Sequence, residues 1–198
     1  GFRRPDIEKR IYRFAPAFYQ AMRDALRLRL ELIPHLYNGA AAAHARGTSL
    51  VRPLYHEWPG HDDAYAHASH WLLGEGLVAA PVTRPTAAEA PLALGHPLWV
   101  PPGLWVQRHT GLLLRGPARS RQSIALDEVP LLHAAGSLVF GQPTPDAEWP
   151  HCAAGGNGWL GRAQRLPRCL QVALWLPPAA PPAAPSSGSS CMGGVNAD

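Results

Sequence analysis

Apolar positions change their rhythm along this chain. From residue 17 to 46, Phe18, Met22, Leu26, Leu30, Ile33 and Tyr37 recur at spacings of three and four, the period of one helix face. Arg23, Asp24 and Arg27 fall between them and can meet water. Pro34 has no amide to offer the carbonyl of Leu30, so the pattern predicts a kink or a break there. Residues 40–43 keep good helix propensity, and Gly47 is a natural stop. From residue 48 to 140 the period shortens. Apolar runs at 50–55, 71–73, 77–82, 98–100, 104–106, 112–114, 124–126, 129–132 and 137–140 are bounded by Gly and Pro. Short strands with frequent turns predict an antiparallel sandwich or barrel, with no strand–helix alternation to suggest a parallel sheet. From residue 141 onward Pro, Gly, Ala and Ser dominate, and 176–190 is almost wholly of these types. A segment of that kind buries too little apolar surface to offset its ordering entropy. A disordered or extended tail is expected, with one stray strand within 169–176. The class is α+β, divided as 1–47 helical, 48–140 β-sandwich and 141–198 tail.

Composition adds limits. The 198 residues suit one domain or two small ones, and no run of 18 apolar residues could span a membrane. Residues 1–13 carry charge where a secretory signal would be apolar, and the chain does not start with Met, which suggests numbering that begins inside a longer reading frame. Cys152, Cys169 and Cys191 show no CxxC spacing, so neither a zinc knuckle nor a disulfide framework is expected. The basic residues are 17 Arg and one Lys, a skew that fits a GC-rich genome. Eight of the 18 fall in the first 30 residues, against three acids. With no nucleic-acid motif beside them, these arginines read as a solvated helix face.

Candidate chemistry is sparse. His61, Asp62, Asp63, His67 and His70 crowd within ten positions, and a three-residue spacing can place two histidines on one helix face toward zinc. No further His or Cys completes such a site at a matching distance, and a polar surface loop between two strands is expected. Asp62–Asp63 and Asp127–Glu128 are adjacent pairs, and neighbours on a strand point to opposite faces, so neither pair is placed to flank one bond. The first is expected as loop solvation and the second in a turn or at an edge. No Gly-x-Ser-x-Gly elbow, P-loop, GxGxxG or HExxH occurs.

Five segments, taken in order, resemble glycoside hydrolase family 31, the α-glucosidase and α-xylosidase family. Residues 21–37, AMRDALRLRLELIPHLY, resemble its RxRLxPYLY helix, with Pro34 on the family proline. Residues 47–59, GTSLVRPLYHEWP, resemble its RPLYYEWP segment, and 71–83, WLLGEGLVAAPVT, its LVAPVT segment. Residues 98–105, LWVPPGLW, are similar to its LPpGxW turn, followed by Thr110–Gly111, and 125–139, ALDEVPLLHAAGSLV, to its LDEiPvFvRaG segment. The family arginine of that last segment falls at His133–Ala134. The resemblance implies that the helices close a (β/α)₈ barrel and that the strands form the β-sandwich after it. It implies a retaining enzyme that hydrolyses O-glycosyl bonds of an α-linked oligosaccharide or glycoside, without a cofactor.

A whole (β/α)₈ barrel takes about 250 residues. The family nucleophile stands in Trp-x-Asp-Met, and none of Trp58, Trp71, Trp99, Trp105, Trp149, Trp159 and Trp175 has an Asp two positions on. The chain therefore reads as a C-terminal fragment with no catalytic, cofactor or metal residue of its own, and with neither nucleic acid nor membrane as partner. Tyr55, Trp58, Trp71 and Trp105 are expected to pack the sandwich. A non-catalytic carbohydrate-binding or structural β-sandwich is the alternative.

Overall fold

The computed structural model describes residues 10–83, 92–142 and 170–176. Most of the expected tail, 141–198, lies outside these residues.

The helical segment breaks as Pro34 requires. Helix α1 (Pro16–Glu31) ends at Leu32, which also opens α2 (Ile33–Arg46). Pro34 thereby sits in the first turn of α2, where a missing N–H removes no intrahelical bond. Leu32 is buried at this joint and bonds to both helices, its N–H to the Leu28 carbonyl and its carbonyl to the Leu36 N–H. Gly47 ends α2 in the left-handed conformation at φ 71°.

Seven strands come in quick succession: β1 (Val51–Pro53), β2 (Trp71–Leu73), β3 (Leu77–Ala79), β4 (Leu92–Gln107), β5 (Leu113–Ala125), β6 (Leu131–Ala134) and β7 (Leu138–Gly141). All pairing is antiparallel. Six form one sheet in the order β1-β2-β3-β6-β4-β5, and β7 pairs separately with β8 (Gln171–Leu174), the strand expected within 169–176.

Two corrections concern strand length. The runs at 98–100 and 104–106 are one strand, as are those at 112–114 and 124–126. The glycines and prolines read as turns are irregularities inside a long hairpin, with register shifts between Ala93 and His96 and between Val100 and Gly103. The second shift is built from Pro101, Pro102 and Gly103. Gly103 takes φ 112°, and the indole N–H of Trp105 donates to the Pro101 carbonyl at 2.9 Å. Across the hairpin, Gly116 is required, since a Cβ there would run into the same carbonyl. A third correction concerns 62–66: a short helix, α3 (Asp62–Ala66), stands where a loop was expected.

The core has two sides because β3 is buried on both. Val78 and Ala80 face the larger cluster with Leu54, Ala64, Leu72, Leu98, Trp99, Val100, Trp105 and Leu132. Leu77 face the opposite way with Ala79 and Leu131, and Leu28 of α1 closes over them with Trp71 and Leu73. The period of two in β3 and β6 thus sorts side chains between the strand-built core and the helical layer.

Candidate functional site

A constellation of rings surrounds Trp99. Arg52, buried in β1, sends one guanidinium nitrogen to the Ser49 carbonyl (3.0 Å) and another to Glu57 (3.1 Å) and the Gly74 carbonyl (3.2 Å). This fixes the 3-10 turn at Leu54–His56, with Leu54 wholly buried beneath it. Trp58 then reaches the core edge-on, 5.9 Å from Trp99 and 6.0 Å from Trp105 between ring centroids. The imidazoles follow. His61 lies 6.0 Å from Trp99 and His67 lies 6.4 Å from it, nearly parallel.

His67, His70 and His96 form a chain of rings rather than a metal cage. His67 and His70 are 5.1 Å apart, and His70 and His96 are 6.1 Å apart. His67 bonds through Nδ1 to the Asp63 carbonyl at 2.9 Å, and His96 through Nε2 to the Ala80 carbonyl at 3.0 Å. Burial, with the nearby His67 and His96, pushes the His70 pKa down to about 4, against a hydrogen bond with the Pro97 backbone that works the other way. Among the described residues no group of three metal-ligating side chains converges.

The carboxylates singled out in the sequence stay apart in role. Asp63, placed in α3, pairs with Arg119 of β5 at 2.6 Å, so it is a hairpin contact and not loop solvation. Asp62 is exposed. Asp127 and Glu128 occupy the turn after β5 and border a shallow depression with Leu28, Arg108, His109, Val129 and Leu131. Its floor is tied to α1 by the Arg108–Glu31 pair at 2.6 Å. Glu31 also bonds the far sheet, its carbonyl accepting from the Gln142 N–H at 2.8 Å.

His133, noted in the sequence only as part of a departure from the family segment at His133–Ala134, is a buried ring of β6. It is fully buried on the helical side of β6, stacked 4.5 Å from Trp175, and neither ring nitrogen has a hydrogen-bond partner among the described residues. Burial, followed by the positive field of Arg108 and by His35, pushes its pKa down to about 3. Alternation in residues 131–134 gave a signal for its face, since Leu131 shares it. Of the expected packing aromatics, Trp105 is buried and Trp58 and Trp71 are half-buried, whereas Tyr55 is exposed. The basic residues of α1 include Arg23 and Arg27, both beside Asp24 at 3.5 and 3.6 Å. No described helix is long and apolar enough to cross a membrane.

Comparison with known proteins shows what this arrangement is similar to. The profile of the glycosyl hydrolase family 31 C-terminal domain matches residues 47–139. The chain is 29% identical over 139 residues to alpha-glucosidase 2 of Bacillus thermoamyloliquefaciens, covering 70% of this chain and 16% of that enzyme. The fold superposes on the family 31 alpha-xylosidase of Xanthomonas citri with a TM-score of 0.60 at 27% identity, over 68% of this chain and 14% of that one. It also superposes on the family 31 dextranase of Flavobacterium johnsoniae, solved with isomaltotriose, with a TM-score of 0.62 at 22% identity, over 69% and 16% of the two chains. The chain therefore spans about 16% of the length of the relatives it matches. Residues 47–139, which hold the strands β1 to β6 and the start of β7, thus carry the profile of the glycosyl hydrolase family 31 C-terminal domain, and α1 and α2 lie ahead of that match.

Proposed function

We propose that these residues are the C-terminal scaffold of a retaining α-glycoside hydrolase acting on an α-linked oligosaccharide or glycoside. On this reading 1–47 end the barrel, 48–140 brace its flank, and the reactive carboxylates stand outside the chain. One observation carries the division of labour: the acids that the fold positions are held by arginines. Glu31 faces Arg108, Glu57 faces Arg52 and Asp63 faces Arg119. A retaining glycosidase needs two carboxyls about 5–5.5 Å apart across the scissile bond, one as nucleophile and one as acid and then base. An acid committed to a guanidinium serves as a strut. The adjacent pair Asp127–Glu128 shares one turn, with Glu128 bonded to Gln107 at 3.4 Å.

The roles left to this chain are mechanical. Leu28 of α1 packs with Trp71 and Leu73 of β2 against Leu77, Ala79 and Leu131 of β3 and β6, and Arg108 clamps the end of α1 to the end of β4. The test is to isolate the natural polypeptide that carries this sequence and assay it on p-nitrophenyl α-glucoside and α-xyloside. Release of p-nitrophenol with a sugar product of retained configuration is expected. An intact polypeptide that hydrolyses neither would overturn the reading.

A further inference from the structure

Leu54 and Ala64 seat two neighbouring short elements, the 3-10 turn and α3, and both are buried to within 2% of complete. The residues that follow them turn outward. Tyr55 is 45% exposed and Tyr65 is 53% exposed. The two rings nevertheless hold each other, with centroids 5.1 Å apart and planes within 7° of parallel. The Tyr65 hydroxyl donates to the Pro59 carbonyl at 3.2 Å, which fixes the tip of that ring. Neither ring belongs to the buried core clusters of the described residues, and the pair is held by its own stacking and by the bond to Pro59.

The surroundings are polar. His56 and Asp62 are exposed within one turn of the two tyrosines. Glu57 is also exposed, and Arg52 holds one of its oxygens at 3.1 Å. A pyranose presents an apolar C–H face and a rim of hydroxyls, and a fixed aromatic face bordered by carboxylate and imidazole groups matches both. A protein partner would instead draw its energy from aromatic anchors in a desolvated pocket, and these rings stand half in water.

We propose that Tyr55 and Tyr65 form a surface binding site for an α-glucan chain. A glucosyl ring stacks on the outer face of the pair, and its hydroxyls bond to His56, Glu57 or Asp62. The ligand class rests on the proposed function; the platform rests on the geometry of the two rings.

The test uses the full chain and maltoheptaose. Saturation-transfer NMR with the tyrosine ring protons irradiated should carry signal to the sugar C–H protons, and calorimetry should give weak binding. Tyr55→Ala and Tyr65→Ala should each weaken it by about five- to ten-fold, and Tyr65→Phe, which keeps the ring, by less than about two-fold. Circular dichroism melting identifies a variant that fails to fold, in which case the transfer from wild-type rings decides alone. No transfer in the wild type, or unchanged affinity in both folded alanine variants, overturns the site. Hydrolysis by the intact parent is measured separately. Activity there without maltoheptaose binding here removes this site and keeps the proposed function; binding here without activity there does the reverse.

Discussion

The strand region and helix α1 bury their apolar residues to very different extents. In the strands, Trp99, Leu98 and Val100 are successive and all buried, and β3 is buried on both faces. Helix α1 has no buried residue at all, and Phe18 and Leu26 stand about half exposed on the face that the periodicity marked as apolar. Leu28, which lies outside the set that the periodicity marked, is the α1 residue that closes a core cluster. The central strands therefore meet their own packing demand, whereas the apolar stripe of α1 is only partly covered by the described residues, with Met22 and Leu30 half-buried and Phe18 and Leu26 exposed. A stripe of that kind marks a contact surface.

Substitutions can sharpen that contrast. Trp99→Ala removes the ring on which Trp58, His61 and His67 converge, and a loss of about 3–5 kcal/mol is expected in urea unfolding. A loss below about 1 kcal/mol would show that the strand core is not the stability centre. Arg52→Ala strips the partner from the Ser49 and Gly74 carbonyls and from Glu57. A cost of about 2 kcal/mol is expected, reduced because Glu57 is itself exposed to water.

Acid sensitivity should follow the two buried histidines. His133 and His70 have folded pKa values depressed to about 3 and about 4, below the unfolded value of 6.5. Between these values and 6.5 the unfolded chain binds more protons than the folded one. The stability that their neutral forms contribute is therefore present above pH 6.5 and is lost as pH falls toward 4. The slope contributed by each is at most about 1.4 kcal/mol per pH unit. Melting temperatures measured from pH 7 to 4.5 should fall less steeply in His133→Leu than in the wild type. An identical slope would contradict the burial of an uncharged ring at that position.

The smallest effect belongs to the helix. Phe18→Ser and Leu26→Ser should change unfolding free energy by no more than about 0.5 kcal/mol, and should raise the concentration at which the chain stays in solution. A large destabilisation by either would mean that the outer face of α1 is already packed.

Much of this was legible in the sequence, for local reasons. Pro34 placed the helix break, and Gly47 placed its end. The strand-rich character of the chain after α2 followed from the shortened period. The hairpin did not, because Pro101-Pro102-Gly103 carries the residues of a turn yet serves as a bulge, with Gly116 making room across the strands. Only the partner strand distinguishes those cases. The run 115–123 hid β5, since Arg115, Arg119 and Arg121 point outward from an edge strand and leave no apolar signal. The histidine cluster was visible as a motif, but its role as ring packing around Trp99 depends on β4, some 30 residues away. The burial of His133 needs Trp175 of the last described segment, a contact no local pattern encodes.

The central claim is that this chain supplies scaffold and not the reacting acids. Purified chain incubated with p-nitrophenyl α-glucoside tests it most directly. No p-nitrophenol above the buffer rate is expected, alongside hydrolysis by the intact parent polypeptide. Turnover by the chain alone that disappears in Asp127→Asn or Glu128→Gln would contradict the account.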